Sequence, residues 1–399
     1  MPDSSVIVVG AGPVGLLTAL GLARAGVDVT ILERGPDVVD SPRAAVYHWC
    51  VLEVLDKLGI REDVEAAGIR VTGNDFRHPA SGGVVRIDQK ALRGAVPFPY
   101  NVNLGQDGLG RVAVAHLARL PSARILWNAT VEAVESDDRE ARVRLADGTT
   151  LAADWLIGAD GGTSLVRKSV DPEFPGFTWD ERFVATNIRF DFEAHGFNRA
   201  NMIMDGALGC IVAKLDDRGL WRVTFSEDDS LPVETIPERV DDFMRAFLPG
   251  DKRYELVQYS PYRMHQRSAP AYRSGRILLA GDAAHLTNPT GAMGLTTGLF
   301  DVELLLDRLL AVLEGREGEE ALDDYSTRRR TAFLEHASRA ATRFKRLVYD
   351  GDQAAIDAAF EEYKVIAEDP VASREFFLGI EFVREPEYRS GLRAIDASS

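Results

Sequence analysis

The sequence predicts an α/β fold in which a parallel sheet and an antiparallel sheet are built from interleaved parts of the chain. Short apolar runs at residues 6–9, 155–157 and 277–280 each lead into a glycine, as is typical of buried parallel strands that turn sharply into a helix. Between the last two runs, residues 182–267 contain alternating stretches that are typical of antiparallel strands. With 399 residues, the chain is long enough for two or three domains.

Composition and charge exclude several classes of partner. Lys and Arg total 46 against 62 Asp and Glu, a formal net charge of −16, so we expect neither nucleic acid nor an anionic membrane as a partner. Cys50 and Cys210 stand in mostly apolar contexts, and no Cys/His cluster with metal-ligand spacing occurs. We therefore predict two buried thiols in a reducing cytoplasm and no metal site. The N-terminus lacks the basic region of a signal peptide, and no apolar run reaches the ~18 residues of a membrane span.

The first apolar run is followed by a glycine-rich turn. Gly10, Gly12 and Gly15 have the spacing G-x-G-x-x-G before the apolar helix LLTALGLARAG, and Pro13 and Val14 of this turn are assigned to the cofactor site with the glycines. The first glycine permits a tight turn, the second allows the backbone to approach a pyrophosphate, and the third allows helix and strand to pack closely. The unpaired N–H groups of the helix then face the phosphates. The sequence therefore predicts a Rossmann-like dinucleotide site.

An acidic residue ends the next strand. Glu33 closes the run DVTILE, 33 − 10 = 23 positions after the first glycine, where a carboxylate accepts hydrogen bonds from ribose hydroxyls and disfavours a 2′-phosphate. The next residue, Arg34, is assigned to the same cofactor site. The turn and the glutamate together do not distinguish NAD from FAD.

Two later strands end in a similar way. One leads into Asp160 and Gly161, and the other leads into Gly281 and Asp282. A single Asp-Gly pair usually marks only a turn. Three strands each end in a glycine, and an acidic residue stands close to each group of glycines. This repetition indicates that the three strand ends form one binding site. The motif positions that follow the two later strands are Ser164, Arg167, His285, Pro289, Gly291, Gly294, Leu295 and Asp301.

The three motifs, in this order, resemble those of the single-component flavoprotein aromatic hydroxylases, the group that includes 4-hydroxybenzoate hydroxylase. The matching segments are the dinucleotide turn, a D-G-x-x-S-x-x-R motif at 160–167 and a G-D-A-A-H motif at 281–285. The resemblance covers most of the chain and implies FAD as the cofactor. Because FAD is long, the first turn would take its adenosine diphosphate end and the late turn its ribityl chain and flavin.

The resemblance implies roles for the late motif. Asp282 would bind the ribityl and pyrophosphate region, and the loop from Pro289 to Gly291 would lie along the isoalloxazine ring. Backbone N–H groups near Gly294 and Leu295, at the start of a helix, would stabilise negative charge on the reduced flavin. His285 would lie near the cofactor without acting as a base. The other positions assigned to the cofactor on this resemblance are Arg43, Gln106, Val131, Asp160, Gly161, Arg167 and Gly281. The D-G motif of this family is associated with both FAD and pyridine nucleotide, so Asp160 stays open to either cofactor.

A cofactor bound at both ends by distant segments implies a discontinuous domain. We expect a Rossmann-like FAD-binding domain, an inserted antiparallel β-sheet substrate domain over the flavin, and C-terminal helices. The FAD-binding domain is assigned to residues 1–75, 101–180 and 265–350, the substrate domain to 76–100 and 181–264, and the C-terminal helical segment to 351–399.

Three local predictions complete the architecture. A helix is predicted from near Leu295 to a stop at Gly315, with its leucines on one face. The run Arg328–Arg330 is predicted to be a solvated face or a helix cap. The glycine-rich segment GQDGLG at 105–110 follows no suitable strand and is predicted to be a loop.

The resemblance also implies a monooxygenase. In this family NADH or NADPH reduces FAD, dioxygen adds to give a flavin C4a-hydroperoxide, and its distal oxygen is transferred to an electron-rich ring. The protein must orient the ring, favour the phenolate and keep the site dry. Candidates for these tasks are Tyr47, His48, His265 and the carbonyl group of Pro289. We expect a small phenolic or hydroxylated heteroaromatic substrate, and a monomer or homodimer.

Departures from 4-hydroxybenzoate hydroxylase bear on the substrate. Met293 and Thr296 stand where that enzyme has lysine and asparagine, and its arginine and tyrosine cluster for the substrate carboxylate has no recognisable counterpart. The segments SPRAAVYHW, FTWDERFVATN and YRMHQR instead resemble segments of bacterial hydroxylases of para-substituted phenols such as 4-nitrophenol. In those enzymes, attack at the substituted carbon expels the substituent and leaves a quinone.

Three other functions stay open at this point. The same scaffold hosts tailoring hydroxylases, epoxidases and Baeyer–Villiger oxygenases of larger polyketide-type rings. A flavin redox sensor without substrate turnover is a more remote alternative. A plain NAD dehydrogenase would also carry the first turn, but the late G-D-A-A-H motif argues against it.

Overall fold

The computed structural model describes residues 4–40, 42 and 44–384. The strands in these residues are β1 Ser5–Val9, β2 Asp28–Leu32, β3 Val46–Tyr47, β4 Ile69–Val71, β5 Gly73–His78, β6 Gly83–Asp88, β7 Asn101–Asn103, β8 Ala123–Leu126, β9 Val131–Ser136, β10 Ala141–Leu145, β11 Thr150–Ala153, β12 Trp155–Gly158, β13 Gly176–Arg189, β14 Ala200–Ile203, β15 Cys210–Lys214, β16 Leu220–Asp228, β17 Glu255–Ser268, β18 Arg273–Ser274, β19 Ile277–Leu279 and β20 His285–Leu286. The α-helices are α1 Pro13–Arg24, α2 Trp49–Lys57, α3 Arg61–Ala67, α4 Gln106–Leu117, α5 Leu165–Val170, α6 Ile236–Phe247, α7 Met293–Leu313, α8 Glu320–Ala332, α9 Ser338–Tyr349, α10 Gln353–Glu368, α11 Pro370–Leu378 and α12 Glu381–Arg384.

The N-terminal strand lies inside a six-stranded sheet. The strand order is β18-β19-β12-β1-β2-β8, and all pairs are parallel except that of β18 with β19 at one edge. Val8 pairs with Ile31 on one side and Ile157 on the other. All three side chains are fully buried, as expected of a parallel sheet whose two faces are covered.

Four positions from the sequence motifs follow strands of this sheet. Gly10 follows β1, Glu33 follows β2, Asp160 lies just beyond β12, and Gly281 lies just beyond β19. Because these strands are parallel, their carboxyl ends lie along one edge, which is where open α/β sheets bind ligands. The fold therefore gathers the three motifs at a single edge.

A second sheet has eight strands in the order β20-β17-β13-β16-β15-β14-β5-β6, and its pairs are antiparallel except for β14 with β5. One face packs on α6, where Trp221, Phe225 and Met244 belong to a separate hydrophobic core. Alternate residues of β16, among them Arg222 and Thr224, lie on the opposite face, which we call the inner face. Two small antiparallel sheets, β11-β10-β9 and β3-β7-β4, complete the strand pairing.

The long helix α7 packs closely on α1. A Cβ atom on Gly21 would lie 2.3 Å from Cδ1 of Leu306, so the two helices approach each other through this glycine. The helix ends at Leu313, and Gly315 follows with a φ of 69°, as predicted for its stop. A π-helical turn at Phe333–Ala337 then joins α8 to α9.

The C-terminal helices cover the far edge of the eight-stranded sheet. Tyr363 of α10 stacks on Phe76 of β5 with the ring centroids 3.9 Å apart. Residues 385–399 of the predicted C-terminal segment lie outside the described residues. Three strands, β5, β13 and β17, run across the boundaries assigned to the two larger domains.

The mixed α/β class is confirmed, but two local predictions are wrong. The segment GQDGLG begins α4 and is not a loop. Gly110, the second glycine inside this helix, allows the helix to pack closely against Val38. A Cβ atom at Gly110 would lie 2.7 Å from Cγ1 of Val38. Arg329, predicted in a solvated run, is 1% exposed because its guanidinium pairs with the buried Asp301.

Two further observations concern the compositional predictions. Cys50 and Cys210 are both buried, and burial raises the pKa of each thiol. None of the helices in residues 4–384 that the structure describes combines the length and the apolar character needed to cross a membrane.

Candidate cofactor and substrate site

The N-terminal turn is built by close backbone contacts. Gly10 has a φ of 106°, and a Cβ atom there would lie 2.4 Å from the carbonyl oxygen of Ala159. A Cβ atom on Gly15 would lie 2.0 Å from the carbonyl oxygen of Gly10. Within the described residues, no heavy atom beyond its own chain neighbours lies within 4 Å of the position that a Cβ of Gly12 would take. The turn is therefore tightly packed beneath Gly10 and Gly15 and open above Gly12.

Glu33 is fixed beside this turn. Its Oε2 accepts a hydrogen bond from the N–H of Ala11, and its Oε1 accepts one from the N–H of Gly35, each at 2.8 Å. A carboxylate has about four acceptor positions, so two stay available for ribose hydroxyls. The neighbouring Arg34 is exposed.

Three other predicted cofactor positions are less informative. Gln106 begins α4, and its N–H donates to the carbonyl oxygen of Ala44 at 3.1 Å. Val131 is the first residue of β9 and is half-buried. Arg43 lies outside the described residues.

The D-G-x-x-S-x-x-R motif connects two turns. Asp160 accepts hydrogen bonds from the Ser164 hydroxyl and from the N–H of Leu165, so it caps the start of α5. Arg167 is buried, and its two terminal nitrogens donate to Ala283 O at 3.1 Å and to Gly162 O at 3.0 Å. Burial lowers the pKa of Arg167. The motif thus joins the turn after β12 to the turn after β19 through side chains.

The late turn also touches the N-terminal helix. Gly281 has a φ of 59°, and a Cβ atom there would lie 2.8 Å from Cγ2 of Val14. Its N–H donates to Asp301 Oδ2 at 2.9 Å. The next residue, Asp282, has an exposed side chain. The turn is therefore fixed from below while Asp282 faces outward.

The loop between the late turn and α7 contains two residues in the left-handed region. Gly291 has a φ of 77° and Ala292 a φ of 57°. For alanine this conformation is strained by about 1–2 kcal/mol. Pro289 O accepts a hydrogen bond from the N–H of Ala292 at 3.0 Å, which closes a short turn. Helix α7 then begins at Met293, so the N–H groups of its first turn, including those of Gly294 and Leu295, have no acceptor within the helix.

Several buried polar atoms near this loop lack a partner. Within the described residues, Tyr47 Oη, Thr290 Oγ1 and Thr296 Oγ1 are buried without a hydrogen bond. Each such atom destabilises a folded protein by about 1–3 kcal/mol when it stays unsatisfied. A long polar ligand would satisfy them and would fill the open space above Gly12. The edge of the parallel sheet thus fits FAD.

His48 attaches the second segment of the chain to the loop. Its Nε2 lies 2.9 Å from Gly291 O, and because a carbonyl oxygen only accepts, Nε2 carries the proton. Burial lowers the pKa of His48, partly opposed by this hydrogen bond, so the ring is neutral at pH 7. Burial raises the pKa of the adjacent Tyr47 far above its usual value, so this residue stays a phenol.

His265 is not brought to this group. Its Nδ1 lies 2.9 Å from Thr178 Oγ1. Side chains alternate along a strand, so His265 lies on the face of β17 opposite Gln266, whose amide donates to Thr287. The structure therefore brings Tyr47, His48 and the Pro289–Ala292 loop together without His265.

The inner face of the eight-stranded sheet contributes two residues that the sequence did not reveal. Arg222 is 5% exposed, and its Nε donates to Asn187 Oδ1 at 2.8 Å across the β13–β16 pair. Burial lowers its pKa to about 10, and nearby Tyr262, Asp107 and Tyr47 raise it, so Arg222 is charged at pH 7. The alternation of β16 was the only sequence feature that pointed to this position.

The described side chains contain no group of three or more His, Cys, Asp or Glu residues arranged to bind a metal ion.

Comparison with known proteins gives the class. Residues 3–340 match the FAD binding domain family, so the chain belongs to that family. It is 44% identical over 348 residues to 6-hydroxy-3-succinoylpyridine 3-monooxygenase HspB of Pseudomonas putida (strain DSM 28022 / S16), covering 86% of this chain and 88% of that protein. It is 39% identical over 382 residues to para-nitrophenol 4-monooxygenase of Pseudomonas sp. (strain WBC-3), covering 94% and 95%.

Comparison with solved structures indicates the same class of protein as the sequence relatives. The crystal structure of p-nitrophenol 4-monooxygenase PnpA from Pseudomonas putida DLL-E4 matches with a TM-score of 0.92 at 36% identity, covering 96% of this chain and 99% of that one. OxyS anhydrotetracycline hydroxylase from Streptomyces rimosus matches with a TM-score of 0.78 at 28% identity, covering 94% and 75%. The chain is therefore an FAD-dependent aromatic monooxygenase, as its motifs predicted, and NAD(P)H and dioxygen are the cosubstrates typical of this class.

Proposed function

We propose that the edge of the parallel sheet binds FAD at two ends. The N–H groups of the first turn of α1, beside Gly12, face the pyrophosphate, and Glu33 accepts hydrogen bonds from the ribose. At the late turn, Asp282 binds the ribityl chain, and the first-turn N–H groups of Gly294 and Leu295 face the flavin. The parallel-sheet part is then the FAD-binding domain, and the eight-stranded sheet is the substrate domain. Arg34, Arg43, Gln106 and Val131 are assigned to FAD on the family resemblance alone.

The names of the two sequence relatives suggest a common substrate pattern. Each name describes an aromatic ring with a hydroxyl group and a polar substituent para to it, and each places the oxygenated carbon at the substituted position: C4 of nitrophenol and C3 of 6-hydroxy-3-succinoylpyridine. We propose the same class for this protein: a small hydroxyarene or hydroxypyridine, oxygenated at the substituted carbon para to the hydroxyl. The TM-score of 0.92 against 0.78 supports a small ring over a polyketide-type ring.

The observation that carries the proposal is the buried positive charge on the inner face. Ionisation of the hydroxyl group raises the electron density of the para carbon, so a site for this reaction must favour the phenolate. Arg222 acts on a phenol already present in the structure: burial and then the charge of Asp107 raise the pKa of Tyr47, and the charge of Arg222 opposes both effects. We assign Arg222, oriented by Asn187, to the phenolate oxygen of the substrate.

Other residues orient the ring and exclude water. Tyr47 remains protonated, so its hydroxyl group is a donor for a substrate oxygen. His48 donates to Gly291 O and Pro289 O accepts from Ala292, so both fix the loop, and Pro289 O keeps a second lone pair for a substrate hydroxyl. We assign no role to His265. FAD, once bound and reduced by NAD(P)H, supplies the activation of dioxygen.

The proposed function is tested by substrate-stimulated oxidation of NADH and NADPH. FAD-loaded protein is assayed with 4-nitrophenol, other para-substituted phenols and 6-hydroxypyridines substituted at C3, and hydrogen peroxide is measured in parallel. We expect stimulation by at least one of them with little peroxide. Stimulation that is matched by peroxide for every compound, or no stimulation by any, would contradict the proposal.

The role of Arg222 is tested with bound 4-nitrophenol, whose phenolate is yellow. Arg222→Met is expected to weaken binding of the phenolate roughly 10- to 100-fold, the effect of about 1.5–3 kcal/mol for a charge-assisted hydrogen bond. The yellow absorbance of the bound ligand at pH 7 is expected to decrease. Arg263→Gln, at an exposed arginine of β17, is the control and should leave both unchanged. Equal spectra of bound 4-nitrophenol for Arg222→Met and the parent would contradict the assignment of Arg222 to the phenolate oxygen.

A further inference from the structure

A buried carboxylate lies directly beneath the late turn. Asp301 of α7 has no exposed surface, and it accepts hydrogen bonds from three residues. Its Oδ2 accepts hydrogen bonds from the N–H of Gly281 at 2.9 Å and from Nε2 of His285 at 2.7 Å. Its Oδ1 accepts one from Nε of Arg329 at 2.8 Å. The amide that sets the late turn therefore depends on the position of one carboxylate.

Arg329 determines where that carboxylate lies. It is 1% exposed, and its Nη2 donates to the carbonyl oxygen and the hydroxyl group of Thr297 at 3.1 and 2.8 Å. Its Nη1 donates to the carbonyl oxygens of Val383 and Arg384 at 3.0 and 2.7 Å. All three nitrogens of the guanidinium donate hydrogen bonds. A single planar side chain from α8 therefore joins Thr297 and Asp301 of α7 to α12.

The short helix α12 is attached to the same region by its own charge. Arg384 donates to both carboxylate oxygens of Glu303 in α7, at 2.8 and 2.6 Å, and to Glu53 in α2 at 3.1 Å. The carbonyl groups that Arg329 binds are therefore supported by α7 and α2. On the other side, the ring of His285 stacks on Phe333, with centroids 4.6 Å apart.

The backbone of the late turn is also restricted by packing and by its own conformation. Gly281 packs on Val14, and its left-handed φ of 59° requires its amide to point in a fixed direction. Asp282, whose carboxylate faces outward, is the next residue. A shift of Asp301 therefore changes the direction of the Gly281 amide and, through it, the direction of Asp282.

We propose that Arg329 is a positioning residue for the flavin end of the FAD site. It connects α12, through Asp301, to the Gly281 amide, so that the C-terminal turn of the described chain sets the geometry of the late cofactor turn. This inference rests on the proposed placement of FAD at that turn. A purely structural arginine would stabilise the protein equally with and without FAD, whereas a positioning arginine stabilises the FAD-bound form more.

The test compares Arg329→Met with Arg308→Met. Arg308 also joins α7 to α8, through Asp324 at 3.1 Å, but it lies toward the other end of α7. FAD is titrated into apoprotein made from each holoenzyme, and the midpoint of thermal unfolding is measured with and without FAD. We expect Arg329→Met to raise the Kd for FAD at least about tenfold, to narrow the gap between the two midpoints and to alter the visible spectrum of the bound flavin. Arg308→Met should lower both midpoints equally and change the Kd less than about twofold.

An unchanged Kd in folded Arg329→Met, with equal losses in both midpoints, would overturn the inference. Should that variant fail to fold, Arg329→Lys is measured in the same way. Lysine keeps the charge but cannot serve Asp301, Thr297 and α12 together, so its Kd is expected to rise several-fold, and an unchanged value would again overturn the inference. Failure of the parent protein to bind FAD would instead refute the proposed function, which keeps the two results distinct.

Discussion

The two turns at the edge of the parallel sheet are built in different ways. The N-terminal turn is set by backbone contacts, because Gly10 and Gly15 leave no room for a Cβ atom. The late turn and the loop that follows it are set by distant side chains: Asp301 binds the N–H of Gly281, Arg167 binds Ala283 O, and His48 binds Gly291 O. The tight glycine turn rests on close backbone packing against Gly10 and Ala159, whereas the late turn depends on side chains from several other parts of the chain.

This difference has a consequence for how each turn fails. Adding one methyl group at Gly10 or Gly15 of the N-terminal turn is expected to damage the fold itself. Removing one supporting side chain from the late turn is expected to weaken cofactor binding while the fold survives. The predictions below separate these two behaviours.

The largest effect is expected from Gly15→Ala. Its Cβ atom would lie 2.0 Å from Gly10 O, so strand and helix must separate. Overpacking of this kind destabilises proteins by about 1–3 kcal/mol or more, and we expect loss of stability in the apoprotein as well as loss of FAD. Urea unfolding of the apoprotein measures the first effect and FAD titration the second.

Gly12→Ala is the matched variant. Among the described residues, its Cβ atom would meet no atom within 4 Å other than those of its chain neighbours, so the apoprotein should unfold at the same urea concentration as the parent. FAD binding should still weaken strongly, because the methyl group occupies the approach of the pyrophosphate. Equal FAD affinity for Gly12→Ala and the parent would contradict the placement of the cofactor.

An intermediate effect is expected from Arg167→Met, which removes one support of the late turn. The carbonyl groups of Ala283 and Gly162 would lose their donors, and stacking of the guanidinium on Phe174, 3.8 Å from the ring centroid, would be lost. We expect a loss of about 2–3 kcal/mol and an FAD Kd raised roughly tenfold. The exposed Arg124, mutated to Met, is a control that should change neither. Stability lost without any change in Kd would show that Arg167 supports only the fold.

The smallest effect is expected at Glu381, in α12. The residue is 3% exposed, both carboxylate oxygens lack a hydrogen-bond partner in the described residues, and burial raises its pKa to about 7. A raised pKa means that this carboxyl group favours folding while it is protonated, and that this contribution is lost as the pH rises from about 4.5 through 7. Glu381→Gln should therefore stabilise the protein by about 1–3 kcal/mol at pH 8 and by much less at pH 5.

Thermal unfolding of the parent and Glu381→Gln at pH 5 and pH 8 checks this prediction. Glu303→Gln is not a suitable control, because Glu303 pairs with Arg384. Glu375→Gln, at an exposed acidic residue of the neighbouring α11, serves as the control instead. It should change the midpoint of thermal unfolding by the same amount at both pH values. A stabilisation of Glu381→Gln that is the same at pH 5 and pH 8 would contradict the raised pKa.

The sequence allowed most of the fold to be predicted, since the apolar runs, the glycine spacing and the alternating stretches report local geometry. It also allowed the family to be recognised, because Gly10, Asp160 and Gly281 stand in short motifs. The supports of the late turn were harder to find. Arg329 lies in a run of three arginines that looks solvated, and only tertiary packing turns it toward Asp301.

The substrate side was predicted least well for the same reason. Arg222 has no motif around it, and its partner Asn187 is brought alongside by strand pairing across 35 positions of the chain. His265 was expected near the flavin, but the alternation of β17 places it beside Thr178. Pairing between distant strands decides which side chains meet, and a single sequence does not reveal that register.

The most direct test of the account is oxygen-18 labelling of the product. FAD-loaded protein is supplied with NAD(P)H, labelled dioxygen and 4-nitrophenol or another para-substituted phenol that stimulates turnover, and ascorbate reduces any quinone formed. The account predicts one labelled oxygen on the ring carbon that held the substituent, with one substituent released for each product molecule. Unlabelled aromatic compound recovered with labelled hydrogen peroxide, or label at a different ring carbon, would contradict it.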